Sequence, residues 1–70
     1  MKDLFTIVIN TRIFVPTIRE DVAYYYIDYV GHSKPFRKGY SVLKSDITDI
    51  KNLKAIKRLI KQDIYELLYK

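Results

Sequence analysis

Apolar and charged residues alternate at the spacing of an α-helix in the last third of the chain. When each residue is turned by about 100°, six apolar side chains fall within one arc, so residues 46–69 are predicted to form one amphipathic helix. Asp63 lies on the edge of this arc, and we expect it at the rim of the core. The apolar stripe, which should face a sheet, consists of Leu53, Ile56, Leu59, Ile60, Ile64 and Leu67.

The start of this helix is indicated by side chains that can cap it. Ser45, Asp46 and Thr48 each carry an oxygen that can accept a hydrogen bond from an unpaired backbone N–H. Asp46 and Asp49 also place negative charge at the positive end of the helix dipole. The sequence therefore predicts a capped helix that begins near residue 46.

The opposite side of the predicted helix carries a row of cations. A row of lysines is often only a solvated surface, but it can also bind a partner or the phosphates of a nucleic acid. Two tyrosines continue the row towards the C-terminus. This first candidate binding surface consists of Lys51, Lys54, Lys57, Arg58, Lys61, Tyr65 and Tyr69.

The N-terminal segment has the composition of a strand. Residues 4–15, LFTIVINTRIFV, are rich in β-branched and aromatic side chains, and most of their odd positions are apolar. This pattern predicts one long strand that ends at Pro16. A hairpin that turns at Asn10–Thr11 is the alternative, although its two strands would be short. The segment Thr17–Asp21, TIRED, is predicted to be a polar connection.

Two further strands are predicted before the helix, at residues 22–30 and 36–43. The segment from Gly31 to Pro35 should turn the chain between them. Asp28 could pair with a lysine or arginine across the sheet. Gly39 indicates a bulge or a close approach of neighbouring backbone.

These elements predict an α+β fold, in which a three-stranded antiparallel sheet is followed by one long C-terminal amphipathic helix packed on one face. The 70 residues should form a single domain. One helix covers only one face of the sheet, yet both faces carry apolar side chains. If Phe5, Ile7, Ile9, Ala23, Tyr25 and Ile27 point inward, the second face presents Val8, Phe14, Tyr24 and Tyr26. That second face predicts a homodimer, or a surface kept for a partner.

Positive charge is concentrated in the C-terminal half of the chain. The net charge is +5, but residues 1–33 carry three cations and four anions, whereas residues 34–70 carry ten cations and four anions. Such an asymmetric basic surface attracts phosphate. A/T-rich codon usage would also supply many lysines, whatever the protein binds, so both explanations remain open.

The composition also excludes several kinds of site. The chain has no cysteine and one histidine, so we expect no disulfide, thiolate metal site or structural zinc site. Residues 4–9 are too short to span a bilayer, and residues 1–3 do not form a signal-peptide lead-in. The apolar stripe of the helix is needed to cover the sheet and not to bind lipid. We therefore expect a soluble, cytoplasmic protein that does not associate with membranes.

Between Val22 and Lys61 the chain shows two strands joined by a glycine turn, a glycine in the third strand, and a capped helix with NLKAI near its start. This arrangement resembles the first half of a ribonuclease H-type fold, and the truncated version of it in the antitoxin half of some toxin–antitoxin pairs. In active members an aspartate on the first strand and a glutamate on the first helix hold magnesium. The nearest matching positions are Asn10 and Asn52, whose neutral amides cannot replace two carboxylates. The resemblance therefore implies the scaffold without its chemistry.

No group of residues in the sequence meets the requirements of a catalytic site. His32 and Ser33 are neighbours in sequence, which seldom gives the geometry in which a base activates a nucleophile. No second acid or histidine is placed by the pattern to work with Asp28. We therefore expect a non-enzymatic protein that uses no cofactor.

Two kinds of binding function fit these features. The first is an inhibitor or regulator that binds a host protein or nucleoprotein machine, in the manner of the counter-defence and anti-CRISPR-like proteins of phages and mobile elements. The alternative is a single-stranded DNA- or RNA-binding protein, in which cations follow the backbone and exposed tyrosines stack on bases. Small size, a single compact domain and A/T-rich composition favour the first.

Overall fold

The chain folds into a two-stranded hairpin, a three-stranded antiparallel sheet and one long C-terminal helix. A computed structural model describes residues 2–31 and 36–69, so most of the predicted turn between the last two strands, with His32 and Ser33, lies outside the described residues. The elements are a 3₁₀ turn at Lys2–Phe5, β1 at Ile7–Ile9, β2 at Arg12–Phe14, β3 at Thr17–Glu20, β4 at Tyr24–Gly31, β5 at Phe36–Leu43, a second 3₁₀ turn at Lys44–Ile47, and α1 at Ile50–Tyr69. The predicted α+β class is confirmed.

Residues 7–14 form a hairpin, and residues 4 and 5 belong to the first 3₁₀ turn, so the prediction of one long strand over residues 4–15 is wrong. Strands β1 and β2 pair antiparallel, with Ile7 opposite Phe14 and Ile9 opposite Arg12. Asn10 begins the two-residue turn with a φ of 56°, a left-handed conformation that asparagine tolerates better than most residues. The turn falls at Asn10–Thr11, the position of the alternative left open by the sequence.

The hairpin also changes which side chains point into the core. Residues that oppose each other across an antiparallel pair lie on the same face of the hairpin. The side chains that point inward therefore belong to odd-numbered residues before the two-residue turn and to even-numbered residues after it. Phe14 is therefore buried beside Ile7, and its assignment to an outer face was wrong. Ile13 and Val15, which continue the odd series, are 67% and 57% exposed.

The segment predicted as a polar connection contains a strand. β3 pairs with β4 from Thr17 opposite Asp28 to Glu20 opposite Tyr25. A strand at the edge of a sheet tolerates polar residues because one side of it faces solvent. The three-stranded sheet therefore has the order β3-β4-β5, and its first strand is β3 instead of residues 4–15.

Helix α1 covers the sheet and the hairpin with a narrower stripe than the sequence indicated. Ile60 and Ile64 are buried as predicted, whereas Leu59 is 68% exposed and Leu67 is 39% exposed. Leu68, which was outside the predicted stripe, completes the buried row. The core consists of Phe5, Ile7, Ile9, Phe14, Ile27, Tyr29, Val42, Ile60, Ile64 and Leu68.

The helix begins later than predicted and uses a different cap. Asp49 Oδ1 accepts a hydrogen bond from the Lys51 N–H at 2.9 Å, and the Asp49 carbonyl accepts the first helical bond from Leu53. Asp49 is therefore the N-cap residue. Ser45 and Asp46 lie one turn earlier, in the second 3₁₀ turn.

None of the helices in the described part of the chain is long and apolar enough to cross a membrane.

A buried hydrogen bond ties the N-terminal turn to the sheet. The Tyr29 hydroxyl, on the central strand β4, donates to the Phe5 carbonyl oxygen at 2.6 Å. Both side chains are fully buried, and burial raises the pKa of Tyr29 well above its usual value. The hydroxyl therefore remains protonated and holds the first turn against the core.

The turn conformation of Asn10 gives a testable difference between two substitutions. Asn10→Ala should be about 1 kcal/mol less stable than Asn10→Gly, because alanine is penalised in the left-handed region and glycine is not. Both variants lose the same asparagine side chain, so the comparison isolates the backbone. Equal midpoints in urea melts would contradict the hairpin turn at this residue.

Candidate binding surfaces

The first surface is a basic groove between α1 and the hairpin. A depression of about 360 Å³ runs between one flank of the helix and β1. Its helix wall consists of Lys54, Lys57, Arg58 and Lys61, and its hairpin wall of Thr6, Ile7 and Val8. We refer to this depression as the basic groove. Lys51, the remaining cation of the predicted row, lies exposed near the start of the helix and does not line it.

The cations of the basic groove are not neutralised within the described part of the chain. The ion pairs found among the described residues involve other cations, namely Arg37, Lys38 and Lys44. Like charges three or four residues apart on a helix repel each other, at a cost of about 0.2–0.5 kcal/mol per pair. An anion bound in the groove would remove this repulsion, so the groove is suited to a polyanion.

Two tyrosines continue the basic row at the end of the helix. Tyr65 and Tyr69 are each about half exposed, and their ring centroids lie 4.7 Å apart. The Asn10 side-chain amide donates to the Tyr69 hydroxyl at 2.6 Å, which fixes this ring against the hairpin turn. The two tyrosines therefore follow the four groove cations along α1, and Tyr69 lies at the hairpin turn.

The predicted sheet-face interface is not brought together. Tyr24 and Tyr26 do share the outer face of β4, with ring centroids 6.2 Å apart. Val8 is 49% exposed, but it lies in the basic groove. Phe14 is buried, with its ring centroid 5.9 Å from that of Phe36. Only the two tyrosines remain of that set.

The outer face of the sheet carries a depression of about 420 Å³ that is lined in part by Tyr26. The Arg19 guanidinium lies 5.1 Å from the centre of the Tyr26 ring. Asp28 pairs with Arg37 at 2.9 Å, the cross-sheet pairing that the sequence allowed.

Gly39 lies opposite Asp28 in regular register, and a Cβ there would be 3.8 Å from the nearest atom. The bulge or close approach predicted at Gly39 is therefore absent.

A third surface, which the sequence did not indicate, lies on the other flank of α1. A groove of about 600 Å³ separates the helix from β5 and the turn that follows it. We refer to it as the β5 groove. Its walls include Val42, Leu43, Asp46, Ile56, Leu59 and Asp63. The exposure of Leu59 is explained by this groove, because Leu59 lies on the flank of the helix and not beneath it.

Asp63 lies at the rim of the core, as predicted. Its Oδ2 atom accepts a hydrogen bond from the Tyr40 hydroxyl at 2.5 Å, and the Lys38 ammonium is 3.8 Å away. Burial, and then the hydrogen bond to Asp63, raise the pKa of Tyr40 above its usual value. These contacts connect α1 to β5, and Tyr40 and Asp63 both line the β5 groove.

The two positions that match the metal ligands of ribonuclease H-type proteins are far apart. Asn10 contacts Tyr69 at the C-terminal end of α1, whereas Asn52 lies in the first turn of that helix. The intervening helix is about 25 Å long at 1.5 Å per residue. Among the described residues there is no group of three or more histidines, cysteines or acids that could hold a metal ion.

Comparison of the chain with known protein families, curated proteins and solved structures found no match.

Proposed function

We propose that this chain is a small non-enzymatic binding protein that attaches to a host nucleoprotein machine and inhibits or regulates it. Proteins of phages and mobile elements act in this way against host defence. The basic groove is the surface that contacts the target, with phosphates of its nucleic acid as the ligand. The proposal places the protein in the cytoplasm, where such machines are found.

The observation that carries this proposal is the group of four clustered cations without ion pairs in the described part of the chain. If these cations only kept the helix face hydrated, they could equally well be paired with nearby carboxylates. Arg37 and Lys44 are paired in this way elsewhere in the chain. Here the cations line a depression whose other wall includes Val8, an exposed apolar side chain. A surface that combines charge with an apolar contact fits a folded target better than free solvent.

Direct binding of single-stranded DNA or RNA is the second candidate. It is favoured by Tyr65 and Tyr69, which lie half exposed at the end of the cation row. Base–aromatic stacking contributes about 1–3 kcal/mol per base and tolerates any sequence. A strand that followed the cations with its phosphates would reach these rings with its bases.

Two measurements on the wild-type chain test the proposal. The protein is first purified from its host with and without nuclease treatment, and the material that copurifies is identified. Its affinity for labelled single-stranded RNA, single-stranded DNA and duplex DNA is then measured by fluorescence anisotropy between 50 and about 200 mM salt. If phosphates bind the four cations, affinity should fall steeply with salt, with a logarithmic slope of about −3 for single strands.

The outcomes separate the two candidates. Copurification of a host complex that survives nuclease, together with weak binding of free nucleic acids, supports the regulator. Tight, salt-dependent binding of free single strands, with copurification lost after nuclease, supports the second candidate. Binding that does not change with salt would contradict both, because neither could then use the basic groove.

A further inference from the structure

The two edges of the three-stranded sheet are protected very differently. β3, at one edge, has four residues, follows Pro16 and carries Arg19 and Glu20. Short length, proline and charge are the usual means by which an edge strand avoids pairing with another chain. β5, at the other edge, has eight residues, and the five from Gly39 to Leu43 are uncharged. The β5 edge therefore lacks most of this protection.

The backbone of β5 presents a regular set of unpaired groups at this edge. The Lys44 N–H donates to the Ala23 carbonyl oxygen at 2.9 Å, so the backbone of residue 44 points towards β4. Backbone direction alternates along an antiparallel strand. The N–H and C=O groups of the alternate residues therefore point away from β4, and no other described strand pairs with them. These residues are Arg37, Gly39, Ser41 and Leu43.

An apolar surface accompanies this open edge. The β5 groove lies directly beside it, and Leu59 projects from its helix wall with 68% of its surface exposed. A leucine at such a position would be covered if a second strand, with a helix above it, were added to the edge. The same kind of partner would thus cover both the open edge and the exposed leucine.

We infer that β5 pairs antiparallel with β5 of a second copy of this chain, so that two three-stranded sheets join into one of six strands. If the two-fold axis passes between the Tyr40 residues of the two copies, all four residues whose backbone groups point outward can form hydrogen bonds across the new pair of strands. Arg37 of one copy then lies opposite Leu43 of the second copy, and Gly39 lies opposite Ser41. Because the axis is perpendicular to the sheet, both α1 helices lie on the same face, and their Leu59 side chains face the same seam.

The distribution of charge along β5 fits this arrangement. Arg37 and Lys38 lie in the N-terminal half of the strand. Its C-terminal end is followed by Lys44, which is paired with Glu20, and by Asp46 in the wall of the β5 groove. Antiparallel pairing brings the cationic end of one strand alongside the end of the other strand that leads to Asp46. A parallel arrangement would place like charges together, which is unfavourable. The basic groove lies on the opposite flank of α1, so this inference does not depend on the proposed function.

Sedimentation equilibrium of the full chain from about 1 to about 300 μM, concentrations that bracket a micromolar dissociation constant, tests the inference. The wild type should approach twice its monomer mass of 8.4 kDa. Ser41→Pro removes an outward N–H while leaving the β4 pairing intact, and Leu59→Lys places charge in the seam. Each should raise the dissociation constant at least about tenfold without changing the circular dichroism spectrum.

Ile13→Lys is the matched control, because Ile13 is as exposed as Leu59 but lies on the hairpin. It should dimerise like the wild type. If Ser41→Pro fails to fold, Leu59→Lys and the amide exchange of the wild type decide the question. The Gly39 and Ser41 amides should exchange more slowly at high protein concentration than at low. A wild-type monomer at every concentration would overturn the inference. So would a dimer whose dissociation constant is unchanged by Leu59→Lys and whose Gly39 and Ser41 amides exchange at the same rate at high and low concentration.

Discussion

Replacing Lys54 and Lys61 with glutamate should weaken binding to the polyanionic target several hundredfold. Each reversal removes an attraction to phosphate and adds a repulsion. One charge pair at 4 Å is worth about 1 kcal/mol in water, so the double reversal should cost roughly 4 kcal/mol, where about 1.4 kcal/mol corresponds to tenfold. Both side chains line the basic groove and are exposed, so the fold should be preserved. Anisotropy titration at low salt measures the change.

The matched control reverses two cations on the outer face of the sheet, Arg19→Glu with Arg37→Glu. It lowers the net charge by the same amount but leaves the basic groove unchanged. Arg37 is exposed in its pair with Asp28, and exposed ion pairs contribute only about 0–1 kcal/mol, so this variant should also fold. If both double variants lose affinity equally, the groove is not the site and only overall charge, or the outer sheet face, matters.

Ile60→Ala should destabilise the protein by about 2–5 kcal/mol, because it removes buried methyl groups and leaves a cavity. Ile60 is 3% exposed and lies in the row of α1 that contacts the core. The free energy of unfolding of a small domain is only about 5–15 kcal/mol, so the loss is a large share of it. Urea denaturation at low micromolar protein concentration measures the difference.

Ile50→Ala provides the comparison on the same helix. Ile50 is 65% exposed at the first position of α1, and substitutions of this kind usually change stability by less than about 0.5 kcal/mol. Since the two variants make the same chemical change, the difference between them reports burial. Equal losses at Ile50 and Ile60 would show that α1 packs with a different face.

The class of fold and the identity of the basic surface could be predicted because helical periodicity is summed over many residues. The twenty residues of α1 place cations and apolar side chains on separate arcs whether or not the neighbours are known. The same pattern does not locate the centre of the buried arc. Leu59 was therefore counted with the core, while Leu68 was left out, and the sheet and hairpin decide between them.

The hairpin was harder to predict because its sequence shows no break at the turn. Apolar residues occur at odd positions on both sides of Asn10, so the alternation looks like that of one strand. The buried residues are nevertheless odd-numbered before the turn and even-numbered after it. β3 was missed for a different reason, since an edge strand can carry charge wherever it faces solvent. The β5 groove depends on the order of strands in the sheet, and no local pattern encodes that order.

The order of pairing has a consequence for how the chain acquires its structure. Each strand of the described sheets pairs with the strand next to it in sequence, and α1 follows β5 after one short turn. Closing a short loop costs less conformational entropy than closing a long one, so most contacts can form between neighbouring segments. The docking of α1 against β1 joins the two ends of the chain, and the Tyr29–Phe5 and Tyr40–Asp63 hydrogen bonds also link distant segments. The basic groove therefore forms only when the first hairpin and the last helix meet.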